Sequence, residues 1–374
     1  MVLKINFKKL LSSVFAIVFF FSIITSYYIG VCSPYVLSST EQHVKTDAIK
    51  IPGYKSSACA CVLIDAKSGE ILHSENMDAR LPMASTTKIM TALLIIRDMP
   101  LEKNVKITKA SCGVEGSSIY LQEGEELSVK ELLYGLLLES GNDAASALAI
   151  AHSGDEKTFA KRMNELAAEL KLCNTRFENP HGLTAEAHYT SAYDLAEITR
   201  VALKDKTFSE ICATKSYYIP KRENCRERYF SNHNKLLSRL NICDGVKTGY
   251  TIASGRCLVS SASAGDSRFI VVTLDDRNDY KDHKYLLEYA ASNYKSVKVL
   301  TKGELKYALY QPLSEKRYVF VENKEDVYIT CKLNENPSVN MKISITPQEK
   351  TGVISGECVL TIDGKTQNKT LEFS

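Results

Sequence analysis

Several features are missing from this sequence, and each absence removes a class of function. Its charges nearly cancel, to +3 at pH 7 over 374 residues, so no basic surface points to nucleic acid. No low-complexity tract interrupts a composition typical of globular proteins. The seven histidines are isolated, and no cysteine–histidine cluster has zinc spacing, so neither a resident metal nor another cofactor is expected. Helical periodicity is absent beyond about residue 296, and the chain closes on a strand-like Leu371-Glu-Phe-Ser374 without an amphipathic helix. The length favours two domains with ample core.

The N-terminus is the least ordinary part. Lys4, Lys8 and Lys9 precede an uncharged run from Leu10, densest between Val14 and Thr25, and no charge returns until Glu41. A charged n-region before an apolar h-region is the pattern of a secretory signal, and a run of this length also suits a membrane span. Val36-Leu37-Ser38 offers a small-residue cleavage site, whereas Val31 fits poorly before a lipid-modified Cys32. Export is expected, with the segment either removed or kept as an anchor. Eleven cysteines in an exported chain are compatible with disulfides. They are scattered, however, and Cys59 and Cys61 project from the same face of one strand, so reduced, buried thiols account for them equally well.

After a polar stretch to Lys55, residues 60–65 and 70–73 read as a hairpin turned at Lys67-Ser68-Gly69. Ile89, Ala92, Leu93 and Ile96 then give the spacing of one helical face. Met90, Leu94 and Ile95 fill most of the rest, so this helix lies inside the protein. Ser128-Val-Lys-Glu131 is a capping box opening a helix through Leu137. That helix halts at Glu139-Ser140-Gly141-Asn142 and resumes with small residues from Asp143 to Ala151. Further helices are expected over 156–172, after Ser191, and over about 282–294. The last follows two antiparallel strands, 256–262 and 268–274, joined at Ala264-Gly-Asp-Ser267. Short apolar runs beyond 296 read as a small all-β domain. The implied organisation is a signal or anchor (1–39), a linker (40–57), a catalytic domain (58–295) and a C-terminal β domain (296–374).

Three short stretches carry chemistry. Ser85 and Lys88 lie three apart at the start of the buried helix, so the hydroxyl and amine meet on one side. A neutral lysine amine can take the proton that a serine must lose to become a nucleophile. Ser140-Gly141-Asn142 sits at a helix–helix break, and Lys247-Thr248-Gly249 at a strand edge. Each is weak alone. The chain contains its own decoys, another Ser-x-x-Lys at Ser292 and Lys295, Ser338-Val339-Asn340, and Lys67-Ser68-Gly69. Order and structural context separate the true set.

With Arg80 to Lys88, Asn179-Pro-His-Gly-Leu183 and Asp244 to Gly249, the set resembles the serine D-alanyl-D-alanine carboxypeptidases, the low-molecular-mass penicillin-binding proteins, whose motif trio is well known. The resemblance covers about Ala58 to Tyr294. It implies an α+β fold in which an antiparallel sheet with helices and a helical subdomain precedes the small all-β domain. It further implies that Ser85 is the nucleophile, Lys88 the general base and Ser140 a proton relay to the leaving amine. Asn142 would hold the peptide backbone, Lys247 and Thr248 the terminal carboxylate, and Gly249 would let substrate approach the strand edge. The backbone N–H groups of Ser85 and Tyr250 would form the oxyanion hole. Arg277 or Lys281 is a further candidate for the carboxylate, and His181 is read as a structural loop residue.

The implied substrate is the peptidoglycan stem peptide ending in D-Ala-D-Ala, with β-lactams as covalent inhibitors, which places the enzyme outside the cytoplasmic membrane. Any membrane attachment is assigned to the N-terminal segment. Two rivals share parts of the pattern. A class A-like β-lactamase needs a glutamate for deacylation in a loop between the second and third stretches; that interval holds Asn179-Pro-His-Gly-Leu183, which fits the peptidases better, with Glu178 beside it. A non-catalytic penicillin sensor needs additional membrane spans. A zinc peptidase lacks its ligand array.

Overall fold

The computed structural model describes residues 50–304, 306–310, 318–337, 339–347, 354–362 and 365–372. The expected signal or anchor at 1–39, the first part of the linker, Cys32 and the decoy Ser338 lie outside the described residues. Among those described, no helix is long and apolar enough to cross a membrane.

The core is a five-stranded antiparallel sheet in the order β2-β1-β9-β8-β7. Its strands are β1 (Ala58–Asp65), β2 (Ile71–Glu75), β7 (Cys243–Thr251), β8 (Gly255–Ala264) and β9 (Ser267–Asp276). Two smaller ribbons, β3 (Asn104–Lys106) with β4 (Glu126–Ser128) and β5 (Ser216–Ile219) with β6 (Arg228–Ser231), fall between β2 and β7 in the chain. β1 lies between two neighbours, with Val62 opposite Val272 on one side and Ser74 on the other. This explains its near-continuous apolar run, because both of its faces are buried. Successive residues alternate between two cores. Val62, Ile64, Ile270 and Val272 join the helical side, while Cys61, Leu63, Phe269 and Val271 pack with Leu286, Leu287 and Ala290. β8 turns into β9 through Gly265 and Asp266, with Gly265 at φ +58°, the positive φ that a two-residue II′ hairpin requires at its first central position.

The helical side holds α1 (Lys88–Asp98), α2 (Val129–Leu137), α3 (Asn142–Ser153), α4 (Glu156–Glu169), α5 (Ala192–Ala202) and α6 (Lys206–Ala213). α1 is buried from Lys88 through Ile95, as an all-round apolar helix must be. The capping box at Ser128 and Glu131 forms in full, and Ser191 caps α5 by accepting from Asp194 N–H. Residues 203–242 went unread in the sequence. They hold α6, the four-residue strands of β5 and β6, and α7 (Leu236–Arg239), elements too short for periodicity to show.

α8 (Asp279–Asn293) covers the second face of the sheet and leads directly into β10 (Tyr294–Leu300). From there on the described elements are all strands: β11 (Lys306–Tyr310) with β12 (Tyr318–Glu322), β13 (Val327–Lys332) with β10, and a meander of β14 (Val339–Pro347), β15 (Ile354–Ile362) and β16 (Lys365–Glu372). Buried Asp65 ties β10 and β13 to the sheet, accepting from Ser296 Oγ at 2.7 Å and Thr330 Oγ1 at 2.8 Å. Cys59 and Cys61 are both thiols, the first exposed and the second buried.

Candidate active site

Ser85 sits on a tight helical turn, Ala84–Thr87, immediately before α1. The turn is strained at one point and pinned at several others. Ala84 has φ +45°, a region that L-residues rarely occupy and that costs free energy to hold. Thr86 Oγ1 donates to Met83 O at 2.5 Å and Thr87 Oγ1 to Ala84 O at 2.8 Å. His188 braces the turn from outside. Its Nδ1 accepts from Glu178 N–H, so the neutral ring carries its proton on Nε2, 2.7 Å from Thr87 Oγ1. Burial pushes this imidazole down to about 4, which keeps it neutral.

Two glycines allow other chain segments to close on the turn. A Cβ on Gly182, itself at φ +93°, would lie 1.9 Å from Ala84 O. One on Gly249 would lie 3.1 Å from both Ala84 Cβ and Ser85 N. The absence of a side chain at Gly249 lets the Ala84–Ser85 turn pack directly against β7, and Gly249 also lines the cleft beside it.

Lys88 is fully buried. Its Nζ lies 2.9 Å from Ser85 Oγ, 2.7 Å from Asn142 Oδ1 and 2.6 Å from the main-chain oxygen of His181. Burial, assisted by the charge of Lys247, holds its amine well below the ordinary lysine range, against partial opposition from Asp143. The Asn179–Leu183 loop is therefore part of the site through its backbone. Asn179 Oδ1 accepts from Gly182 N–H at 2.7 Å and Thr91 Oγ1 donates to Pro180 O at 2.6 Å, which positions His181 O over the amine. The His181 ring has its Nε2 3.6 Å from Glu156, and its Nδ1 accepts from Leu183 N–H at 3.2 Å.

Ser140 is buried at the break before α3, at φ +62°. Asn142 opens α3 with its amide oriented by two partners, Lys88 at Oδ1 and Glu115 O, to which Nδ2 donates at 2.5 Å. The neighbouring Asp143, which the sequence reading passed over, is wholly buried and accepts from Ser118 Oγ and from Ile119 and Leu121 N–H at 2.6–3.0 Å. It thereby fixes the loop carrying Ser117. Lys247 is buried on β7, its Nζ donates to Thr248 O at 2.9 Å, and burial brings it down to about 7.

A cleft of about 440 Å³ opens beside these residues, lined by Ser85, Ser140, Thr248, Gly249 and Tyr250. Ser117, His233, Arg256, Cys257, Asp279 and Tyr280 complete its wall. Arg277 and Lys281 do not line it; Arg256 does. Among the described residues no group of three or more potential metal ligands occurs.

The arrangement can support acyl transfer: a hydroxyl facing a cleft, a buried amine of lowered basicity beside it, and a second hydroxyl across the cleft. Comparisons with known proteins agree. Residues 45–278 match the D-alanyl-D-alanine carboxypeptidase family. The chain belongs to that family. It is similar to D-alanyl-D-alanine carboxypeptidase DacF of Bacillus subtilis, at 34% identity over 337 residues and 86% of each chain. D-alanyl-D-alanine carboxypeptidase DacC of Escherichia coli is 30% identical over 84% of this chain and 82% of its own. Among solved structures, penicillin binding protein 5 from Haemophilus influenzae superposes with a TM-score of 0.70 at 29% identity, over 86% of this chain and 98% of that one. The family makes the chain a serine-type D,D-carboxypeptidase of the penicillin-binding kind, with the α+β fold anticipated from its motifs. The rival readings are not favoured. Glu178, the one glutamate that raised the β-lactamase alternative, is exposed and uses its carboxylate on Ala187 N–H.

Of the residues the sequence missed, Asp143 directly follows Asn142 and was read only as the start of a helix. His233, Arg256, Asp279 and Tyr280 reach the cleft by tertiary packing, from positions with no motif of their own. Arg256 alone left a trace, as an arginine opening the strand after Lys247-Thr248-Gly249.

Proposed function

We propose that residues 58–295 remove the terminal D-alanine from peptidoglycan stem pentapeptides through an acyl-enzyme on Ser85, and that penicillins acylate the same oxygen. The hydrogen-bond arithmetic at Lys88 carries this reading. A neutral amine has two N–H donors and one lone pair. The two acceptors with no proton to give, Asn142 Oδ1 and His181 O, take both donors. The lone pair is left facing Ser85, whose hydroxyl then donates to it across 2.9 Å. This is the geometry of a general base poised on its nucleophile.

Ser85 Oγ attacks the carbonyl carbon of the penultimate D-alanine as Lys88 takes its proton. The developing oxyanion lies between the backbone N–H groups of Ser85 and Tyr250, a pairing supported by the close packing of Gly249 on Ser85 N. Ser140, buried across the cleft, returns a proton to the departing D-alanine amine, and the remaining Nδ2 hydrogen of Asn142 orients the peptide. Thr248, on the cleft wall, receives the terminal carboxylate, with buried Lys247 beside it adding its charge when protonated. Water then resolves the ester. The N-terminal segment acts as signal or anchor and places the enzyme outside the cytoplasmic membrane; N-terminal sequencing of the native protein tests this, and a start near Ser39 would exclude the anchor.

The deciding assay is D-alanine release from a synthetic stem pentapeptide by the full-length protein and its Ser85→Ala variant. Release by the first and none by the second is the expected result. Release undiminished in the variant would remove Ser85 from the mechanism. Rapid hydrolysis of penicillin, with free enzyme recovered, would favour a β-lactamase instead.

A further inference from the structure

We propose that Arg256, held by Asp279 at the mouth of the cleft, receives the C-terminal carboxylate of the peptide substrate and confines the enzyme to free-acid termini. This rests on the carboxypeptidase reading and adds a specificity residue to it.

The placement follows from the sheet. Arg256 on β8 is the register partner of Tyr250 on β7, and Leu258 that of Thr248. Directly opposed residues project to the same side, so Arg256, Tyr250 and Thr248 share one face, and all three line the cleft. The guanidinium is fixed along one edge only. Its Nε and Nη2 donate to the two oxygens of Asp279 at 3.0 and 2.7 Å. Asp279 is itself buried and also accepts from Tyr280 N–H. The Tyr280 ring lies 5.8 Å from the guanidinium carbon, and its hydroxyl donates to His233 O at 3.1 Å. Nη1 has no protein partner among the described hydrogen bonds. With the outer hydrogen of Nη2 it forms a second fork, of the shape that a carboxylate takes bidentately.

The other cations of the site cannot supply a lasting charge to the cleft. Lys88 is committed to Ser85. Lys247 is buried, does not line the cleft and is brought down to about 7 by that burial. His233 is shifted down by burial and by Lys247, against Glu139. Lys247 is faced by Lys88, Cys212 and His233. Arg256 is faced by Asp279, Asp276 and Tyr280, whose ring it shares with Arg239. A pair that merely tied β8 to α8 would have no need of a half-exposed guanidinium aimed into the cleft.

The test compares two synthetic peptides, one ending in D-Ala-D-Ala and one in its C-terminal amide, on the full-length parent, Arg256→Gln and Arg256→Lys. Arg256→Gln is expected to raise KM for the acid about tenfold to a hundredfold, the usual range for a lost charge-assisted pair. Turnover of the amide should fall far less, so the preference for the acid collapses. Arg256→Lys, which keeps the charge but not the fork, should fall between the parent and Arg256→Gln and guards against a variant that fails to fold. An unchanged acid-to-amide ratio in Arg256→Gln, or an equal loss on both peptides, would overturn the proposal. Absence of D-alanine release by the parent would overturn the activity reading, and this inference with it.

Discussion

The two faces of the central sheet each bury a basic side chain completely, and only one of them is equipped for chemistry. On the helical side Lys88 has three oxygen partners, one of which, Ser85 Oγ, belongs to a half-buried residue on the cleft wall. On the α8 side His283 lies between Ser260 Oγ at 2.5 Å and Thr273 Oγ1 at 2.9 Å, both fully buried. Burial drives both groups toward the neutral form, His283 to about 3. What differs is where the lone pair leads. For His283 both ring nitrogens end on enclosed hydroxyls, so neutrality serves packing alone. For Lys88 the amine points at a hydroxyl on the wall of an open cleft. A perturbed pKa identifies burial; an outlet to solvent identifies function.

The contrast can be broken most forcefully by removing the base. Lys88→Met should slow acylation by penicillin about 10²–10⁴-fold, the range of general-base catalysis, while His283→Gln should leave the rate within about twofold. A single acylation time course on each variant checks this.

Next in size is the turn that presents Ser85. Gly182→Ala places a Cβ into Ala84 O at a positive φ, and should cost about 2–4 kcal/mol of stability and a large share of activity. Gly113→Ala, also at positive φ but with nothing within 4 Å, should cost about 1 kcal/mol and no activity. Urea denaturation alongside penicillin labelling separates the two.

Lys247→Met should act at longer range. Removing its charge raises the Lys88 pKa, so the acid limb of the acylation-rate profile should move to higher pH. A limb that stays in place would show that burial alone depresses Lys88.

The smallest effect concerns the other face. His283 has a folded value near 3 against about 6.5 when unfolded. The unfolded state therefore binds the extra proton between these values, and stability is lost as pH falls through that window. His283→Gln should flatten this acid loss without altering kcat, leaving the similar contribution of His188, whose folded value is about 4. Thermal melts from pH 7 to about pH 4 would measure it.

The same contrast explains what was legible in the sequence. α1, the capping box of α2, and the β8–β9 hairpin announce themselves through periodicity and turn chemistry, because local pattern and tertiary role coincide there. Ser85, Lys88, Ser140 and Asn142 were legible because they stand at helix starts and a helix break, and Lys247 because Lys-Thr-Gly follows them in order on an edge strand. The α6-to-α7 region was not, because its elements are too short to repeat. Nor was the second role of Gly249 legible: its missing side chain also lets the Ser85 turn close on β7, a contact between segments more than 160 residues apart. Arg256 and Asp279 lie 23 residues apart, and no pattern in the chain joins them.

The central claim is that Ser85 is activated by a lysine kept neutral by burial. The most direct measurement is the pH dependence of penicillin acylation by the full-length protein, read by intact mass with the adduct mapped by peptide digestion. The account predicts one adduct, on the peptide containing Ser85, formed at a rate that reaches its plateau well below the ordinary lysine value of about 10.4. An adduct elsewhere, or a rate still climbing to that pH, would contradict it.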